Sequence, residues 1–240
     1  HERSGGVWIG WPGLTSRVSM AHRTMLDRQL GERGIVALYL TRREVKEYYE
    51  DFSNGVLWPI FHYLVDRVPL GPSAWESYRR VNERFAQMVV DQYQPGDMIW
   101  VHDYQLLLVP GLLRQRLPEA RIGFFLHIPF PAAEVFRIMP WRREILESLL
   151  GADLVGFHTY SYMQHFATAL ADLAGLEPED GRVWLDDREV RFGVFPMGID
   201  AETFRQLANS PAVEEELRAI KIDAGDRTLL LGVDRLDYTK

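Results

Sequence analysis

Three short apolar runs in this 240-residue chain each break into residues that can do chemistry. Met98 to Val101 is followed by His102-Asp103-Tyr104, and Ile122 to Leu126 by His127-Ile128-Pro129-Phe130-Pro131. Thr228 to Gly232 is followed by Asp234-Arg235-Leu236-Asp237-Tyr238-Thr239-Lys240. Arg235 and Lys240 stand five positions apart on a post-strand loop, where a planar guanidinium fork and a mobile ammonium can grip one anion from two sides. Two exposed surface cations are the plainer reading, and the preceding strand with Gly232-Val233-Asp234 favours the anion. A carboxylate such as Asp103 at a strand end can accept hydrogen bonds from sugar hydroxyls, or simply cap the helix that starts near Leu106. His102, His127 and His158 each follow an apolar run. A three-histidine metal site therefore competes with strand-end histidines satisfied by backbone, and no carboxylate spacing supports the metal. Asp186-Asp187 resembles the paired acid of metal-dependent sugar transferases, but its place at a hairpin turn favours a solvated turn. Tyr49 and Trp58 read as core aromatics or as hydrogen-bond donors for a bound ligand.

The elements that must position these residues alternate. Short strands are expected at Val7 to Gly13 and Ile35 to Leu40, then at the three runs above. Helices are expected over Arg23 to Arg33, Trp75 to Gln92, Leu106 to Arg116, Trp141 to Leu150 and Tyr160 to Ala174. Thr41 and Glu44 form a capping-box pattern ahead of a helix carrying Tyr48, Tyr49 and Phe52, and an aromatic segment spans Val56 to Tyr63. Arg182 to Phe195 reads as a hairpin, and Ala201 to Ala208 and Val213 to Ile220 as linking helices. Apolar strands separated by helices specify an α/β fold with a buried parallel sheet, whose ligands bind at the carboxyl ends of the strands. The pattern restarts at Thr228, so the chain divides into a domain over residues 1–200 and the opening of a second over 201–240.

Composition narrows the function. With 47% hydrophobic and 12% aromatic residues the chain can bury a large core. A net charge of −7 without a basic run argues against nucleic acid as partner. Zero cysteines remove disulfides, thiolate nucleophiles and cysteine metal sites together, which fits a cytoplasmic protein. No apolar stretch reaches the roughly 18 residues of a membrane span, and residues 1–20 carry no signal-peptide pattern. A start at His1-Glu2-Arg3-Ser4, without methionine, reads as a truncation.

Four runs carry a family resemblance: Glu47 to Pro59 (EYYEDFSNGVLWP), Trp100 to Leu106 (WVHDYQL), Gly123 to Pro131 (GFFLHIPFP) and Val233 to Lys240 (VDRLDYTK). In this order they resemble glycosyltransferase family 20, the trehalose-6-phosphate synthase family. The resemblance implies a GT-B fold of two facing Rossmann-like halves, the first mainly for the acceptor and the second mainly for the nucleotide-sugar donor. It implies transfer of glucose from UDP-glucose to glucose 6-phosphate, with no metal or other cofactor, and with a homo-oligomer compatible. Residue by residue, Tyr49 matches a contact to the acceptor phosphate and Asp103 an acceptor-binding residue. Trp58 matches a position lining the pocket near the reacting sugars, and His127-Ile128 the loop beside the donor glucose. Arg235 and Lys240 match the cations that bind the donor diphosphate, and Trp11 matches more loosely a position near the acceptor.

The resemblance also implies a first strand before His1, with an acceptor arginine and a glycine-rich donor loop, and the body of a second domain after Lys240. The segment alone is accordingly expected to be inactive. Retaining glycosidases need two carboxylates flanking the sugar, and no such pair stands out. The family mode is front-face transfer, in which the leaving phosphate accepts the acceptor proton, with Arg235, Lys240 and Asp103 carrying catalysis. Three alternatives remain: glucosylglycerol-phosphate synthase acting on glycerol 3-phosphate, a catalytically silent relative that senses sugar phosphates, and a bifunctional parent with a phosphatase domain downstream.

Overall fold

Residues 5–15, 19–66, 68–69, 71–185 and 188–233 are described by a computed structural model. Two compact units are distinguished, His1–Pro196 and Met197–Lys240. In the first, β1 (Trp8–Gly10) pairs in parallel with β2 (Ile35–Ala37), separated by α1 (Met20–Gly31), whose N-terminus is capped by the Ser19 side chain.

Both bonds of the capping box form: Thr41 Oγ1 accepts from the Glu44 amide at 3.1 Å, and Glu44 Oε2 accepts from the Thr41 amide at 2.7 Å. From there one helix runs unbroken, first as α2 (Arg42–Glu44), then as a π-helix over Val45–Leu57, then as α3 (Trp58–Phe61). From sequence, the aromatic segment Val56 to Tyr63 stands apart from the helix that carries Tyr48, Tyr49 and Phe52, and the structure joins them. The Ser53 hydroxyl donates to the Tyr48 carbonyl at 2.8 Å, and a Cβ at Gly55 would sit only 3.2 Å from the Glu50 carbonyl oxygen. Long π-segments are rare and concentrate at functional sites.

Next come α4 (Pro72–Gln92) and β3 (Met98–His102), then a 3₁₀ turn at Tyr104–Leu106 and α5 (Val109–Arg116). They are followed by β4 (Arg121–Phe125), the short α6 (Ala133–Phe136), α7 (Arg142–Leu149) and β5 (Leu154–Phe157). After α8 (Tyr160–Ala169) and a π turn at Leu170–Ala174 the hairpin closes the unit, with β6 (Arg182–Leu185) and β7 (Arg188–Val194) flanking the expected turn. Asp186 and Asp187 lie outside the described residues. The five-stranded sheet has the order β3-β4-β5-β7-β6, all parallel except the β6–β7 pair.

Its core is rich in rings: Phe130 meets Phe61, Phe136, Phe157 and Phe166 at centroid distances of 5.0–6.1 Å. At the amino ends of the strands a charged anchor sets register. The Asp153 carboxylate accepts from the Ile122 amide at 2.7 Å and from Arg114 Nη2 at 2.7 Å, while Arg114 also bonds the Gly151, Pro118 and Ala120 carbonyls.

The second unit contains α9 (Ala201–Ala208) and α10 (Pro211–Ala224). The strand expected from Thr228 to Gly232 does not form: residues 228–233 are exposed and irregular, with Leu230 94% and Leu231 90% accessible. A strand needs a neighbouring strand to satisfy its backbone, and no other strand occurs among the described residues of that unit. Among the described residues, no helix is long and apolar enough to cross a membrane.

Candidate functional site

The carboxyl ends of β3, β4 and β5 bring Asp103, His127 and His158 to one edge, as parallel pairing in register requires. Asp103 follows directly on the ladder, its amide donating to the Phe125 carbonyl at 2.8 Å. Its backbone is held at φ 72° and ψ 171°, a conformation that almost only glycine adopts and that costs on the order of 1–3 kcal/mol. The carboxylate repays part of that cost. Oδ1 accepts from the Tyr104 amide at 3.0 Å and from the His127 amide at 3.1 Å, so Asp103 ties its own loop to the next strand end. Asp103 caps the short turn that follows, and its carboxylate stands at the carboxyl end of β3.

Electrostatics at this edge are mixed. Burial raises the Asp103 carboxyl above its ordinary value, against the pull of the two amides and of His127 and His158. Burial likewise lowers the His102 imidazole, helped by the neighbouring His127. His102 Nδ1 and His127 Nε2 face each other at 2.9 Å, so one carries the shared proton and the other accepts it. Each ring thereby spends a nitrogen on the other instead of on a metal. His158 meets His127 edge-on at 5.9 Å, and Phe125 sits edge-on to both, at 4.8 and 5.0 Å. Gly156 makes room for that ring, since a Cβ there would fall 2.6 Å from it. Among the described residues, no group of three or more His, Asp or Glu side chains is arranged to hold a metal.

The other expected residues are placed as follows. Tyr49 is half-buried and packs edge-to-face with Trp11 at 5.3 Å, which brings the loosely matched tryptophan beside it. Trp58 is buried and stacks on His62 at 3.7 Å, and His62 Nδ1 lies 2.8 Å from the Trp58 carbonyl. Ile128 is half-buried against the core. The helix of Tyr49 and Trp58 reaches the Asp103 loop through two hydroxyls: Tyr48 donates to the Gln105 carbonyl at 3.3 Å, and Tyr104 to Asn54 Oδ1 at 2.8 Å. Arg235 and Lys240 lie outside the described residues.

Sequence reasoning missed Asn54, His62, Tyr78, Asn82 and Tyr104. One signal was available: Tyr78 and Asn82 put two polar groups four apart on the apolar face of α4, beside Val81 and Phe85. A groove lined by Arg79, Glu83, Gln115, Glu144, Glu147 and Ser148 lies among α4, α5 and α7, and none of these residues stands at a strand end.

Comparison with known proteins extends this geometry. The model of glycosyltransferase family 20 matches residues 1–240. The chain is 40% identical over 239 residues to "Alpha,alpha-trehalose-phosphate synthase [UDP-forming] A" of Dictyostelium discoideum, covering 99% of this chain and 32% of that protein. It is 43% identical over 236 residues to the "Bifunctional trehalose-6-phosphate synthase/phosphatase" of Thermoproteus tenax, covering 98% of this chain and 32% of that protein. The crystal structure of an alpha,alpha-trehalose-phosphate synthase (UDP-forming) from Burkholderia xenovorans, in complex with glucose-6-phosphate, superposes with a TM-score of 0.84 at 34% identity. That superposition covers 99% of this chain and 53% of that one. The chain thus spans between a third and about half of the length of these relatives. The α/β, Rossmann-like, GT-B class expected from the sequence agrees with these neighbours. A match along the whole chain, together with a parallel sheet that carries Asp103 and His127 at adjacent strand ends, establishes that this chain belongs to glycosyltransferase family 20.

Proposed function

We propose that the protein carrying this chain transfers glucose from UDP-glucose to glucose 6-phosphate with retention, giving α,α-trehalose 6-phosphate. The observation that carries the reading is Asp103: a carboxylate held in a strained backbone at the sheet's ligand edge and bonded to the His127 amide. Strain of this kind persists where surrounding structure over-determines it, and it clusters at binding sites. In this reading residues 1–200 form the acceptor domain and 201–240 open the donor domain. Asp103 accepts from acceptor hydroxyls, the Tyr49 hydroxyl donates to the acceptor phosphate, and Trp58 walls the pocket. His127 and Ile128 border the donor glucose. Arg235 and Lys240 neutralise the diphosphate, which itself takes the acceptor proton, so that catalysis rests on positioning and preorganised charge. No metal is required, the substrates are small molecules, and the protein works in the cytoplasm.

A competition assay tests this. Full-length protein is supplied with UDP-glucose and equal glucose 6-phosphate and glycerol 3-phosphate, and the products are separated by mass. Trehalose 6-phosphate is the expected product. Predominant glucosylglycerol phosphate would replace the acceptor assignment, and no product from either acceptor would point to a sugar-phosphate sensor.

A further inference from the structure

A buried polar clamp on α4 sits behind the Asp103 loop. Tyr78 and Asn82 are both fully buried. Burying such groups is costly unless they are hydrogen-bonded, and here nearly every bond goes to the loop. The Tyr78 hydroxyl donates to the Tyr104 carbonyl at 2.7 Å and accepts from the Leu107 amide at 3.0 Å. Asn82 Nδ2 donates to the Gln105 carbonyl at 3.1 Å, and its Oδ1 accepts from the Leu108 amide at 3.1 Å. The remaining Asn82 bond, to the Tyr78 carbonyl at 2.9 Å, locks the amide to its own helix. Two side chains one helical turn apart therefore fix four of the five residues from Tyr104 to Leu108, by the carbonyls of Tyr104 and Gln105 and the amides of Leu107 and Leu108.

The residue just ahead of that pinned stretch is Asp103, at φ 72°. Left free, the chain after Asp103 could rotate about the Asp103 Cα–C bond, moving ψ from 171° toward the left-handed helical region that aspartate adopts at lower cost. That rotation would swing the Tyr104 amide off Oδ1 and leave the carboxylate held by the His127 amide alone. The clamp blocks it by holding the Tyr104 carbonyl. We propose that Tyr78 and Asn82 are positioning residues for the acceptor: they hold the loop after β3 so that the Asp103 carboxylate stays at the ligand edge. This rests on the reading of Asp103 as the acceptor-binding carboxylate.

The test uses full-length protein. Tyr78→Phe keeps the ring that packs on Trp75 and Phe52 and removes only the hydroxyl. Its KM for glucose 6-phosphate is expected to rise about 10-fold, the order of two lost neutral hydrogen bonds, with KM for UDP-glucose unchanged. Val81→Ala, a buried neighbour on the same helix, loosens packing without removing a hydrogen bond to the loop and is expected to leave both KM values alone. An unchanged acceptor KM in Tyr78→Phe, or an equal rise in Val81→Ala, overturns the proposal. A crystal structure of Tyr78→Phe reads the clamp without substrate. Asp103 is expected to leave its extended ψ of 171° and its Oδ1 to lose the Tyr104 amide; an unmoved Asp103 overturns the proposal. Wild-type protein that transfers nothing to glucose 6-phosphate would sink the acceptor reading instead, and the crystallographic arm would still decide the clamp.

Discussion

Replacing Asp103 by asparagine separates binding from folding at one atom. The amide retains an oxygen where Oδ1 accepts from the Tyr104 and His127 amides, so the loop keeps its cap and its tie to β4. What disappears is the charge. Because burial raises the carboxyl above its ordinary value, the folded state disfavours the ionised form relative to the neutral one. A neutral isostere is therefore expected to leave stability at neutral pH unchanged or slightly higher, and the melting temperature within about 3 °C of wild type. Binding behaves differently. A hydrogen bond to a charged group contributes about 1.5–3 kcal/mol, so its loss to a sugar hydroxyl should lower kcat/KM for glucose 6-phosphate by roughly 10- to 150-fold. Steady-state kinetics with each substrate varied, beside thermal unfolding of the same preparation, make the comparison. Unchanged kinetics would refute the acceptor role. A large fall in melting temperature alongside the activity loss would show that Asp103 serves the fold alone.

Three further outcomes are expected. Arg114→Leu should lower stability by about 2–4 kcal/mol, because it removes the guanidinium that donates to Asp153 and to three carbonyls. A urea midpoint shift without change in acceptor KM would confirm that this end of the sheet is structural; no shift would contradict it. The lowered His102 pKa means that the unfolded chain binds a proton that the folded chain refuses, in the window from about 6.5 down to the folded value. Stability should fall as pH falls through that window, and His102→Gln should flatten the slope of melting temperature between pH 7 and 5.5. The raised Asp103 carboxyl acts in the opposite sense, above its ordinary 3.8, so equal slopes in both proteins would remove His102 from the account. Activity of the full-length protein should survive excess chelator, because Arg235 and Lys240 are assigned the diphosphate. Loss with chelator and recovery with zinc would return the three histidines to metal binding.

Much of this architecture was legible because local signals agreed with the fold. Thr41 and Glu44 announced a helix start that the structure builds bond for bond, and Pro95-Gly96 stops α4 just ahead of β3. Runs of apolar residues ending in His102-Asp103 and His127 marked where β3 and β4 leave the sheet, because buried parallel strands carry few polar residues before that point. The π-helix was not legible. Its register depends on a side chain, Ser53, satisfying a carbonyl five residues back, and residue spacing alone does not show that bond. The strand after Thr228 was over-read: an apolar run of that length becomes a strand only beside another. The clamp stayed hidden for a third reason. Asn82 looks like any polar residue in a helix until the loop it holds, 23 positions on, is folded against it.

A crystal structure of the full-length protein soaked with glucose 6-phosphate tests the central claim most directly. The sugar hydroxyls are expected within hydrogen-bond distance of the Asp103 carboxylate, and the phosphate on the Tyr49 hydroxyl beside Trp11. Glucose 6-phosphate bound elsewhere, or an Asp103 carboxylate engaged only by its two backbone amides, would contradict it.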